Sequence, residues 1–267
     1  MNLQLLNSSQ IKDIIDGFPN KEINWYESFT TFFIYYHNYF IVASFLYLPL
    51  IWIGQQIMKN KQPYLLKKPL LFWNLSLSIL SGIGSYYVLS WIYMDLQDNN
   101  LQSSVCNYQK PFSNKIAWYV GVFNLTKIFE WIDTIFLILR KKKIIFLHWF
   151  HHLITFLYCW HSTYYSSISD SSGYWFSGIN MFVHAVMYLY YAITTLGIKI
   201  PCSILITTIQ TLQMGIGIYI LTLTFKCPDS WKNNWHGNIF AIAMYSIYLI
   251  LFTKIFIKKL PCKQKKN

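Results

Sequence analysis

Three histidines within five residues, His148, His151 and His152, stand inside an almost unbroken apolar stretch from Ile144 to Trp160. On a helix, at roughly 100° per residue, they fall on one face with Thr155, so their rings are expected to converge on one spot. Clustered imidazoles either bind a metal ion or carry acyl and proton chemistry, and the box by itself leaves both open. Further polar side chains lie in comparably apolar stretches. Lys127, Glu130, Asp133 and Thr134 form one block, in which an ammonium three residues before a carboxylate can neutralise it or tie helices together. Asn180, His184, Met187 and Tyr191 make a second stripe, with Tyr188 beside it. Thr207, Gln210 and Gln213 make a third, suited either to lining a site or to bonding between helices.

The elements that must position these groups are membrane helices. Hydrophobic residues make up 54% of the 267-residue chain, aromatics 19% and charged residues only 12%, against roughly 25% charged in a soluble domain. Seven stretches approach the length of about 20 residues that a bilayer span needs, at roughly 32–56, 70–94, 115–139, 144–162, 173–196, 202–224 and 236–257. We therefore expect one all-α polytopic membrane domain over 1–267. It comprises a lumenal N-terminal segment (1–31), a seven-helix core (32–257) and a basic cytosolic tail (258–267). The start of the chain lacks the basic region and short apolar core of a cleaved signal peptide. Ionisable groups inside such spans are expensive and by default mark function or buried pairing.

Charge sets the expected orientation. Loops after alternate spans, with the tail, hold fifteen cations and no carboxylate, from Lys59 and Lys61 through Arg140–Lys143 to Lys266. The other set holds six lysines and eight acidic residues. The positive-inside rule makes the first set cytosolic and the N-terminus lumenal. The formal charge of +12 then reads as a collar facing anionic headgroups, not as a nucleic-acid surface. Cys106 and Cys227 both fall on the non-cytosolic side, where we expect them to pair. Asn7 opens an Asn-Ser-Ser glycosylation acceptor in the same lumenal segment. Lys263 and Lys265, five and three places from the end, resemble a dilysine signal for retrieval to the endoplasmic reticulum.

Polar stripes on four successive apolar spans suit a sealed tunnel with a reactive centre and a long, greasy substrate. In this order the blocks resemble the very-long-chain fatty acid elongase family, the acyl-CoA condensing enzymes of the endoplasmic reticulum. The family's K-x-x-E-x-x-D-T block matches Lys127, Glu130, Asp133 and Thr134, and its H-x-x-H-H box matches His148, His151 and His152. Asn180, His184, Met187, Tyr188, Tyr190 and Tyr191 match a third block, and Thr207, Gln210 and Gln213 a fourth. The stretch from Leu66 to Asn74 also resembles the start of the family's second span, so the similarity runs from about residue 60 to 255. Trp149 in the box and His184-Ala185-Val186-Met187-Tyr188 are similar to the branch acting on saturated and monounsaturated acyl-CoAs. Met214 departs from the family, many members having an aromatic residue there.

The resemblance implies six of the seven helices ringed around an acyl tunnel. It also implies condensation of a long-chain acyl-CoA with malonyl-CoA, giving a 3-oxoacyl-CoA two carbons longer, carbon dioxide and CoA. On that reading His151 attacks the thioester to give an acyl-imidazole, and His148 and His152 orient it or handle protons. Asn180 and His184 stabilise the enolate and oxyanion, and Lys127, Glu130 and Asp133 hold the site together. Arg140, Lys141 and Lys199 are expected to meet CoA phosphates. No bound cofactor or metal is expected, and the implied partners are membrane lipids, the reductases and dehydratase of the elongation cycle, and a second copy in a homodimer.

Two rivals share features. Membrane di-iron desaturases and hydroxylases also use H-x-x-H-H boxes, but with more histidines than the seven present here. A seven-span receptor or transporter would explain the topology without needing the triple histidine.

Overall fold

In a bilayer a spanning segment must satisfy its own backbone N–H and C=O groups, which makes apolar stretches of this length helical. The computed structural model describes residues 25–106, 114–165, 172–198, 200 and 203–260. Among them all regular structure is helical: α1 (Trp25–Tyr35), α2 (His37–Met58), α3 (Lys67–Asp98), α4 (Leu101–Cys106), α5 (Asn114–Phe129), α6 (Trp131–Leu139), α7 (Phe146–Tyr165), α8 (Ser172–Thr195), α9 (Ser203–Thr224) and α10 (Pro228–Lys259).

Five helices are long and apolar enough to cross a membrane: α2, α3, α8, α9 and the Trp235–Lys259 part of α10. The chain is a multi-pass membrane protein. The count differs from the seven expected spans at the two segments richest in functional residues. The expected third span runs through α5 and α6, divided by a one-residue irregularity at Glu130, whose backbone is itself helical (φ −60°, ψ −16°) and whose N–H still donates to the Thr126 carbonyl at 2.8 Å. Neither piece alone is long enough to cross. The expected fourth, α7, has 20 residues, about 30 Å at 1.5 Å per residue, but its four histidines (148, 151, 152 and 161) lower its apolarity.

Neighbour packing runs from α3 to α8, α9, α10, α7 and α5, and from α5 back to α3, closing a ring of six. Helix α2 stands outside it against α6 and α7. The α3–α8 seam is the most extensive because small residues let the backbones approach. A Cβ added at Gly178 would meet Val88 Cγ1 at 2.9 Å, and Ser78 Oγ donates to the Ala185 carbonyl at 2.8 Å. At one end a disulfide joins Cys106 of α4 to Cys227, the residue before α10. Beside it Gln102 Nε2 donates to the Leu223 carbonyl at 2.9 Å. At the lysine-rich end the segment after α2 is fastened to the segment after α6. Tyr64 N–H donates to Leu139 O at 3.0 Å, and Lys141 Nζ donates to the carbonyls of Lys59 at 2.9 Å and Lys61 at 3.0 Å.

Candidate active site

The irregularity at Glu130 organises the site, because the turns on either side of it project polar groups toward four different helices. Lys127 Nζ donates to Glu130 Oε1 at 2.8 Å, with side-chain exposures of 2% and 4%, and to Asn180 Oδ1 on α8 at 3.4 Å. His184 Nδ1 lies 3.5 Å from the same carboxylate oxygen. Lys127 Nζ also sits 3.9 Å above the Phe123 ring. A buried charge needs such compensation from every side. One turn on, Asp133 accepts hydrogen bonds from Trp73 Nε1 on α3 at 2.6 Å and Tyr188 OH on α8 at 2.7 Å. Thr134 Oγ1 meets Tyr47 OH on α2 at 2.8 Å and His148 Nε2 on α7 at 2.9 Å. Trp131 Nε1 donates to the His152 carbonyl at 3.3 Å.

The three box histidines line one cavity, with their rings in different orientations. His148 and His152, four residues apart, lie ring against ring with centroids 4.4 Å apart. His151 faces another direction, with its Nδ1 3.4 Å from Thr155 Oγ1 and its ring 4.9 Å from that of Tyr248 on α10. Tyr248 OH in turn reaches Thr155 Oγ1 at 2.9 Å and the His151 carbonyl at 3.2 Å. The orientations differ because a spacing of four turns side chains by roughly 40° and a spacing of three by roughly 60° the other way. Among the described residues, no group of three or more His, Cys, Asp or Glu side chains is arranged to hold a metal ion.

A cavity of about 620 Å³ opens inside the ring, lined by Glu130, Asp133, His148, His151, His152, Asn180, His184, Met187, Tyr188, Tyr191, Thr207, Gln210 and Gln213. Such a volume suits a small-molecule site. Lys127 and Thr134 stand behind this wall and reach it through Glu130, Asn180 and His148. Gln210 Nε2 contacts Met187 Sδ at 3.2 Å across α8 and α9. A smaller chamber of about 50 Å³ adjoins, sharing His151, Asn180, Gln213 and Met214 and lined further by Phe123, Thr155, Phe176, Tyr245 and Tyr248.

Of the three cations expected to meet CoA, Arg140 lines the large cavity. Lys141 does not line it and its ammonium is engaged on two loop carbonyls. Lys199, like the acceptor Asn7, lies outside the described residues. The cavity instead gains Lys259, whose Nζ donates to Thr207 Oγ1 at 2.7 Å and the Ser203 carbonyl at 3.0 Å. Sequence reading had grouped Lys259 with the tail lysines, and only its place in the last turn of an apolar helix could have set it apart. Tyr47 and Tyr248 were missed because aromatic residues carry no signal among so many others.

A family model described as the GNS1/SUR4 family (ELO) matches residues 32–267. The chain belongs to the ELO family. Its relatives within that family include the human protein named very long chain fatty acid elongase 6, 33% identical over 275 residues covering 100% of this chain and 98% of that one. The Gallus gallus protein of the same name is 34% identical over 87% of this chain and 84% of its own length. A Trypanosoma cruzi protein, very long chain fatty acid elongase 4, is 31% identical over 82% of this chain and 80% of its own length. In this ELO family member residues of all four polar blocks line one cavity, and the block on α5 and α6 is bonded to α2, α3, α7 and α8.

Proposed function

We propose that the cavity is the reaction chamber of a very-long-chain fatty acid elongase, which condenses a long-chain acyl-CoA with malonyl-CoA to a 3-oxoacyl-CoA, carbon dioxide and CoA. One observation carries this reading: of the three box histidines, only His151 lines both the large cavity and the distal chamber. A thioester carbon held at this imidazole has its CoA portion in the large cavity beside Arg140 and Lys259, and the distal chamber, at about 50 Å³, takes only part of the acyl chain.

His151 Nδ1 faces Thr155, which leaves Nε2 for attack on the thioester carbonyl. The C–S bond breaks, the acyl group remains on nitrogen, and the proton given up by the acylated ring passes to the departing sulfur, so that CoA leaves as the thiol. Malonyl-CoA then loses carbon dioxide. The resulting enolate carbon forms the new C–C bond at the acyl carbonyl and expels the imidazole. Asn180 Oδ1 accepts from Lys127, so its amide N–H groups are free for the oxyanion, and His184 stands beside it on α8. No bound cofactor enters the sequence of steps; malonyl-CoA is the co-substrate.

On this reading α5 with α6, and α7, complete seven spans in the endoplasmic reticulum membrane. The N-terminus and the disulfide are lumenal and the lysine-rich end is cytosolic. Reductases and a dehydratase take up the product, and the chain works alone or as a homodimer. The test is condensation in microsomes with labelled malonyl-CoA and a panel of acyl-CoAs, wild type against His151→Ala. We expect malonyl-CoA-dependent carbon dioxide release from the wild type and none from the variant. Full activity in a folded His151→Ala protein would discard the acyl-histidine, and a wild type without carbon dioxide release would discard the condensation.

A further inference from the structure

Tyr47 belongs to none of the motif blocks and sits on α2, the helix outside the ring. Its side chain is nonetheless 3% exposed, packed on Trp131 with ring centroids 4.4 Å apart. Its hydroxyl lies 2.8 Å from Thr134 Oγ1, which lies 2.9 Å from His148 Nε2. Thr134 has one proton and two neighbours, so the three groups form a directed chain. If His148 Nε2–H donated to Thr134, either Thr134 would donate to Tyr47 and leave the phenol proton without an acceptor, since Tyr47 makes no other hydrogen bond among the described residues, or Tyr47 would donate too and leave the Thr134 proton unpaired. Leaving a buried donor unpaired is costly. In the opposite direction Tyr47 donates to Thr134, Thr134 donates to Nε2, and the proton without a protein acceptor is the one on Nδ1 of His148, a residue that lines the cavity.

We propose that Tyr47, acting through Thr134, locks His148 as the Nδ1–H tautomer, so that this ring offers the cavity a proton donor instead of a lone pair. His148 lines the cavity, and no protein group bonds its Nδ1. Tautomers are assigned from the hydrogen-bond network in this way, and a second-layer partner commonly sets which ring nitrogen holds the proton. Tyr47 and Thr134 are positioning residues. What the donor acts on rests on the elongase reading: the thioester oxygen or the malonyl carboxylate as charge develops there.

Two measurements test the assignment independently. The first is nitrogen-15 NMR of histidine-labelled full-length chain in lipid nanodiscs, with the His148 signals identified by their loss in His148→Gln. We expect a protonated Nδ1 in the wild type and in Thr134→Ser, and a shift toward protonated Nε2 in Tyr47→Phe and Thr134→Val. Tyr47→Phe keeps the ring packed on Trp131, so the fold is retained. The second is condensation kinetics, in which Tyr47→Phe lowers kcat about tenfold while KM stays within about twofold, and Thr134→Ser restores most of what Thr134→Val loses. A wild-type His148 protonated at Nε2, or a tautomer unmoved by Tyr47→Phe, overturns the proposal whether or not the chain condenses acyl groups. An unchanged kcat in Tyr47→Phe overturns its catalytic consequence alone.

Discussion

Lys127 and Glu130 form an ion pair of 2.8 Å with both side chains sealed from solvent. Removing one partner strands the other charge, whereas removing both leaves neutral groups that the site tolerates better. Lys127→Met is expected to cost about 3–5 kcal/mol of stability, and Lys127→Met combined with Glu130→Gln is expected to recover much of it. Thermal unfolding of the single and double variants in one detergent checks the cycle. A double variant no more stable than the single one would remove the pair as the cause.

Lys259 lines the cavity with its Nζ poised on Thr207, whereas Lys141 is fastened to loop carbonyls outside it. Lys259→Ala is expected to raise KM for CoA substrates about tenfold with little change in kcat, the pattern of a lost ground-state contact. Lys141→Ala is expected to move KM far less. Steady-state kinetics at low and high salt separate the two, since the Lys259 effect shrinks as ions screen the phosphates.

Tyr245 lines the distal chamber, its ring 5.0 Å from that of Phe176 and closed against Gly217 on α9. If the acyl tail ends there, Tyr245→Ala deepens the chamber and shifts products toward longer chains, while Tyr245→Phe leaves their length unchanged. Chain-length analysis of the products of one acyl-CoA panel reads this out. Identical distributions in all three proteins would show that the acyl tail does not end at Tyr245.

The disulfide between Cys106 and Cys227 spans 121 residues of sequence. Constraining so long a loop is worth about 2–5 kcal/mol in small domains, and Cys106→Ser is expected to lower the unfolding temperature accordingly. Condensing activity at low temperature is expected to persist, because neither cysteine lines the cavity. Non-reducing against reducing mobility, with thermal unfolding, measures both.

The polar blocks were legible because a lysine, a carboxylate or a histidine inside an apolar helix stands out against its surroundings. Helical spacing then correctly aligned Asn180, His184, Met187 and Tyr191, all of which line the cavity. The partners of those blocks were not legible. Tyr47 and Trp73 reach Thr134 and Asp133 across 87 and 60 residues of sequence; nothing local marks Tyr47 among 21 tyrosines, and the stretch from Leu66 to Asn74 holds Trp73 without pointing to its partner. Helical spacing brings the three box histidines to one cavity, and it does not show that Tyr248 and Thr155 set the orientation of His151. The same polar residues that announce the site obscure the spans, since the irregularity at Glu130 and the histidines of α7 weaken the apolar signal there.

The junction at Glu130 makes the site depend on angular phase. Trp73, Tyr188, Tyr47 and His148 are all met by Asp133 or Thr134, within one turn of α6. The compensating cluster of Lys127 and Thr126 belongs to α5. One residue inserted after Glu130 would rotate α6 by roughly 100° against α5, detaching all four contacts while leaving both half-helices intact. A protein so altered would keep its helix content and its disulfide and lose the alignment of its cavity wall. The spacing between these two half-helices therefore works as a key whose cut matters as much as the residues along it.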